Sequence, residues 1–135
     1  MIVVDTNTIA YLYLPTNDTP DVEKLLAREP EWAAPLLWRS EFRNILALYL
    51  RKGLVDFETA CLMQRQAEAL MAGGEYEVDS LSVLANAEES HCSAYDCEFV
   101  ALAKSLNTTL VTADRKLLKA FPGLASTARA YIASR

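Results

Sequence analysis

Four carboxylates stand where a fold would be able to bring them together. Asp5 directly follows the apolar run Ile2-Val3-Val4, and Asp114 follows Thr109-Leu110-Val111-Thr112-Ala113. Asp96 opens an apolar-periodic stretch three residues after Ser93, and Glu41 lies early in another, "WRSEFRNIL". Ligands of parallel α/β sheets sit in the crevice beyond the carboxyl ends of the strands, and the helices that follow open at that same edge. Four negative charges gathered there repel one another unless protons or cations intervene. A divalent cation is the simplest remedy. Hard oxygen ligands select magnesium or manganese over zinc, and magnesium keeps several waters for chemistry.

Each acid also has a plainer explanation. Asp114 suits the N-cap of a following helix, Asp96 with Ser93 imitates a capping box, and Glu41 alone reads as a solvated helix acid. Asp5 is hardest to explain by capping, since a carboxylate at the end of a buried strand needs partners. The joint placement carries the expectation of a site. Around it, Asn7 and Thr112 are candidates to orient a carboxylate or a water by hydrogen bonding. Arg39 and Arg43 flank Glu41, and Arg115 and Lys116 follow Asp114; these four are candidates to hold a phosphate backbone, with a solvated charged surface as the alternative. The single histidine, His91, has no serine or cysteine nucleophile pattern beside it and reads as incidental. Cys61, Cys92 and Cys97 form no Cys-x-x-Cys knuckle and read as reduced core thiols. Four glycines assemble no phosphate loop.

The elements that must position these residues follow from periodicity and turn chemistry. Ile2 to Val4 is a short β-branched strand, Thr6-Asn7-Thr8 a turn, and Ile9 to Leu14 a short helix stopped by Pro15. Thr19-Pro20-Asp21 reads as N-cap, first-turn proline and first-turn acid of a helix reaching about Glu29. Trp32 to Pro35 is extended. A long helix from Leu36 to Gly53 and a second from Asp56 to about Ala72 form a hairpin, with glycines ending both. Glu75 to Val78 has strand character, Asp79 or Ser80 caps a helix to about Ser90, and Ser93 to Leu106 is helical. Thr109 to Thr112 is a strand, Arg115 to Phe121 a short helix, and the segment after Gly123 an edge strand and tail. The order βαβααβαβα, with right-handed crossovers, makes a three-layer α/β fold around a mostly parallel sheet.

A length of 135 residues with 52% hydrophobic and 23% charged content suits one folded domain spanning 1–135. The net charge of -5 argues against a nonspecific nucleic-acid binder, whose affinity comes from neutralising phosphates, but not against an enzyme whose acids are offset by metal. No run approaches the roughly 18 apolar residues of a membrane span, and Asp5 stands where a secretory leader carries cations. The expectation is a cytoplasmic protein with no membrane partner.

Three segments, "IVVDTN", "WRSEFRNIL" and "SAYDCEFVALAKSLNTTLVTADRKLL", resemble PIN domains of the VapC toxin type, and the likeness spans nearly the whole chain. The block from Ser93 to Leu118 is the most specific. The resemblance implies a three-layer α/β/α PIN-like fold and a metal-dependent endoribonuclease whose Mg2+ or Mn2+ activates water against an RNA phosphodiester. Position by position, Asp5, Glu41, Asp96 and Asp114 fall on the family's acids and metal ligands, and Asn7 and Thr112 on its polar helpers. It further implies a homodimer and a neutralising antitoxin. One departure is Lys116, where many relatives carry a further acid, so one carboxylate fewer is present to hold a second ion. Two rival readings remain: a catalytically weak partner-binding module on the same fold, and a magnesium-dependent phosphatase-like domain, which "DTN" opposes by lacking a second Asp close to the first.

Overall fold

The computed structural model describes residues 1–134. Strand β1 (Ile2–Val4) is completely buried because it is the middle of a five-stranded sheet. Its neighbours are β2 (Trp32–Pro35), in register Ile2 to Trp32, and β4 (Leu110–Val111), in register Val4 to Val111. Outside them lie β3 (Glu75–Tyr76) and β5 (Ala125–Ser126), giving the order β3-β2-β1-β4-β5, with every described pairing parallel. Unbroken apolar strands are what a sheet covered on both faces demands. The chain steps outward from β1 to β3, then returns to the far side of β1 as β4. That reversal leaves a crevice beyond the ends of β1 and β4, where Asp5 and Asp114 stand.

The helices are α1 (Thr6–Ala10), α2 (Thr19–Arg28), α3 (Leu37–Arg51), α4 (Phe57–Met71), α5 (Ser80–Ser90), α6 (Ala94–Ser105), α7 (Arg115–Ala120) and α8 (Ala128–Ala133). α6 packs across β1, β2 and β4, and its Phe99-Val100-Ala101-Leu102-Ala103 run is buried throughout. The hairpin of α3 and α4 forms as expected, with Gly53 taking the left-handed backbone just beyond α3. Gly74 is required for a different reason: a Cβ there would lie 2.1 Å from the Trp32 carbonyl oxygen, so β3 pairs with β2 only because this residue has no side chain. Cys92 and Cys97 are buried and Cys61 half-buried, all as free thiols.

Three expectations are corrected. Thr6-Asn7-Thr8 is not a turn before a helix at Ile9. It is the first turn of α1, because Asp5 keeps extended backbone (φ -82, ψ 170) while its side chain accepts from the Thr8 amide, ending the strand and capping the helix at once. In α2 the cap position is Asp18, without a side-chain bond; the Thr19 hydroxyl instead donates to the Tyr11 carbonyl at 2.7 Å. After β5 the tail is helical, since Thr127 caps α8 through the Ala130 amide and Tyr131 packs into the core. His91 closes α5 with left-handed backbone (φ 61), a structural duty consistent with its reading as incidental to the site. Among the described residues no helix is long and apolar enough to cross a membrane.

Candidate active site

Asp5, Glu41, Asp96 and Asp114 line one cavity of about 430 Å3 at the carboxyl edge of the sheet. Each comes from a different element: the ends of β1 and β4, the second turn of α3 and the first turn of α6. Asn7 lines the same cavity, as do Thr6, Ser40, Asn44 and Tyr95. No Lys or Arg does so among the described residues.

Asp5 is held by its neighbours. Its Oδ1 accepts from the Thr8 amide at 2.9 Å and from the Thr8 hydroxyl at 2.6 Å, and its Oδ2 accepts from the Thr112 hydroxyl at 2.5 Å. Thr112 in turn accepts from the Asp114 amide at 3.0 Å, tying the two strand ends together. Burial pushes the Asp5 carboxyl above its ordinary value; the hydrogen bonds from Thr112 and Thr8 oppose this, and the charge of Asp114 adds to it. Glu41 follows the same pattern. Burial raises its pKa, the 2.6 Å bond from the buried Thr6 hydroxyl to Oε1 opposes, and the charges of Asp96, Asp5 and Glu98 raise it further. Its Oε2 accepts no hydrogen bond among the described residues. The Asp96 carboxyl is likewise raised, first by burial and then by Asp114, while Ser93 and Lys116 pull it down. The four acids thus feel one another.

The capping roles of these acids turn out to coexist with the cavity. Asp114 caps α7 through the Lys116 and Leu117 amides at 2.8 and 3.1 Å, all on Oδ1. At α6 it is Ser93 that caps, accepting from the Asp96 amide at 3.0 Å. Even Asp5, the acid least suited to capping from its sequence setting, caps α1.

The donor set is all oxygen and carries four acids with no Lys or Arg in the described lining, which suits a hard divalent ion. As the side chains stand, no three His, Cys, Asp or Glu residues form a group able to hold a metal ion directly among the described residues. The acids share the wall of one cavity.

The four basic candidates fall outside the cavity lining. Arg39 is committed elsewhere: its Nε and Nη2 donate to both oxygens of Glu75 at 2.5 and 2.7 Å, and its Nη1 donates to Glu68 at 3.2 Å. Trp38 also donates to Glu75, at 2.8 Å, so this cluster clamps α3 to β3. Arg115 lines a second cavity, of about 450 Å3, together with Asp18, Asp21 and Arg129. Arg43 donates to Ser40 on the cavity wall at 3.0 Å, and Lys116 is near enough to lower the Asp96 pKa. These two lie at the rim.

Sequence reasoning missed Thr6 and Thr8, which fix two of the acids. Their signal was the strand-exit string Asp5-Thr6-Asn7-Thr8, whose alternate hydroxyls become buried once α1 starts at Thr6. It also missed Ser40, Asn44 and Tyr95, which share helix faces with Glu41 and Asp96.

Residues 2–122 match the PIN domain family. The chain is 31% identical over 127 residues to Ribonuclease VapC3 of Pyrobaculum aerophilum, covering 91% of this chain and 96% of that relative. Among solved structures, a Pyrobaculum aerophilum protein aligns at TM-score 0.77 with 23% identity, over 98% of this chain and 87% of the other. A chain from a toxin–antitoxin complex of Klebsiella pneumoniae aligns at TM-score 0.67 with 17% identity, over 95% of this chain and 98% of the other. FitAcB of Neisseria gonorrhoeae aligns at 0.72 with 20% identity, over 96% and 99%.

Proposed function

The chain belongs to the PIN domain family, and from that premise we propose that it is a divalent-metal-dependent endoribonuclease, the toxin of a toxin–antitoxin pair. The observation that carries this reading is the cavity shared by four carboxylates from four elements, with no basic residue in its lining. Its name-bearing support is the ribonuclease relative, 31% identical along nearly the whole chain. The antitoxin partner is inferred from the Klebsiella neighbour, described as a toxin–antitoxin complex.

In this reading Asp5, Glu41, Asp96 and Asp114 are the residues that would hold Mg2+ or Mn2+. Bound there, such an ion would supply Lewis acidity, which would offset the carboxylate charges, lower the pKa of water and stabilise charge on the phosphate oxygens. Thr8 and Thr112 lock Asp5 so that it cannot turn away from the cavity, and Thr6 does the same for one oxygen of Glu41. Glu41 either completes the ion's shell or, with Oε2 open, accepts the proton of the attacking water. Asn7, in the cavity lining, is the residue assigned to hydrogen-bond that water or a phosphate oxygen. Arg43 and Lys116 at the rim steer the RNA backbone. The Lys116 side chain adds no carboxylate, which favours tight binding of one ion over two.

The test is cleavage of single-stranded RNA by the purified protein. Magnesium or manganese should support it, EDTA should abolish it, and Asp96→Asn should lower the rate at least 100-fold without unfolding the chain. Retention of full activity in EDTA would remove the reading. A homodimer belongs to the same proposal, because Leu54, Phe57 and Leu62 of the α3–α4 hairpin are exposed apolar groups. Light scattering should give twice the 15.0 kDa chain mass, and a clean monomer at micromolar concentration would remove the dimer.

A further inference from the structure

The acid cavity has an apolar half that phosphodiester chemistry does not require. Its α3 wall is a single helical stripe, Leu37, Ser40, Glu41, Asn44 and Ile45, in which the acid is flanked by two apolar side chains. On α6, Asp96 is flanked in the same way by Tyr95 and Phe99. Phe99 is buried, but Tyr95 is 64% exposed and lines the cavity beside the acids. Among the described residues no Lys or Arg lines the cavity. With Arg43 and Lys116 confined to the rim, a polyanion deep in the cavity finds no side-chain cation, so contacts that ignore charge must add to its binding there.

We propose that Tyr95 is a stacking platform for an unpaired nucleobase next to the scissile phosphate of the RNA. An aromatic ring at the mouth offers a π face to any base, and the apolar wall accommodates its body. A base held in a duplex cannot reach such a ring. This inference rests on the ribonuclease reading and assigns Tyr95 to binding, not to chemistry.

The test compares wild type, Tyr95→Ala and Tyr95→Phe. The exposure of the ring means that all three should fold, which melting curves check. Affinity is measured for the four homopolymeric ribohexamers with calcium in place of manganese, and for an abasic ribose-phosphate hexamer of equal length. Tyr95→Ala should weaken the best-bound hexamer roughly 5- to 100-fold, as loss of one stacked base does, and should raise KM in manganese far more than it lowers kcat. Tyr95→Phe should stay near wild type. The abasic hexamer should bind weakly and equally to all three, and a 2-aminopurine hexamer should lose fluorescence on wild type but not on Tyr95→Ala. Equal affinities for wild type and Tyr95→Ala, in a protein that still cleaves RNA, would overturn the platform and leave the ribonuclease standing. A wild type that neither binds nor cleaves any hexamer would overturn both.

Discussion

At the scale of single residues, Asp5 caps α1 and, in the proposed reading, also holds the ion, and the two roles make opposite demands on substitution. As an N-cap it needs only an acceptor for the Thr8 amide, which asparagine supplies as well as aspartate. As an ion ligand it needs the negative charge. Asp5→Asn should therefore leave stability in EDTA within about 1 kcal/mol of wild type, on the favourable side, because burial already penalises the carboxylate, while metal-dependent cleavage disappears. Asp5→Ala should instead cost about 1 to 3 kcal/mol, since it strips the cap and leaves the Thr112 hydroxyl without its acceptor. Chemical denaturation and RNA cleavage on the two variants separate cap from ligand. Asp5, Glu41 and Asp96 also fix a pH dependence. All three have folded pKa values above those of the unfolded chain, so the folded state binds more protons, and its stability is full below the ordinary carboxyl values of 3.8 and 4.5 and is lost as pH rises through the raised ones. Asp56 and Glu75, whose values are lowered, act in the opposite sense and at lower pH. In EDTA the difference in stability between wild type and an Asp5→Asn/Asp96→Asn double variant should shift against wild type as pH rises from 4 to 7, and excess manganese should reverse that shift. A pH-independent difference in urea midpoints would contradict the assignment.

At the scale of elements, the central ones were readable because their apolar pattern and their punctuation agree. β1, the α3–α4 hairpin and α6 each have an unbroken apolar run or stripe closed by glycine, asparagine or a capping acid, so local and global preferences coincide. What was misread was decided by side-chain hydrogen bonds. The start of α1 depends on Asp5 reaching the Thr8 amide, and α8 depends on Thr127 reaching the Ala130 amide, short-range bonds that hydrophobic periodicity does not register. The acids were legible because strand exits and helix starts share one edge; the threonines behind them were not, because a buried hydroxyl looks like any turn residue until its partner is known. Arg39 shows the limit most clearly. Its place beside Glu41 suggested RNA, yet α3 turns it toward Glu75 and Glu68. Glu75 is well covered and held by both arms of the guanidinium, so Arg39→Gln should cost about 1 kcal/mol through the α3–β3 clamp, the part-exposed arginine keeping the figure small. Cleavage per folded molecule and its KM should not change. A raised KM with unaltered stability would return Arg39 to the RNA surface.

At the scale of the whole molecule, the proposed ribonuclease activity asks an acidic chain to bind a polyanion. The net charge is -5, the cavity holds four carboxylates, and Arg43 and Lys116 are the basic candidates placed at its rim. Proteins that bind nucleic acid through Lys and Arg release one set of counterions per phosphate neutralised, and on single strands the logarithm of affinity falls by about 0.7 per phosphate for each decade of salt. With two cations engaged, the slope here should be only about -1.4, far shallower than for a basic nuclease groove. Divalent ion works in the other direction: because it offsets the carboxylates before RNA arrives, affinity should rise steeply with manganese at fixed ionic strength. Titrating KM against potassium chloride at saturating manganese, and then against manganese at constant salt, isolates the two contributions. A slope near -4 or steeper would mean that a basic surface elsewhere, such as one built across two copies of the chain, carries the backbone. Replacing Arg43 and Lys116 together by Gln should then leave that slope intact, whereas if the rim carries the contact the double variant should flatten it to near zero.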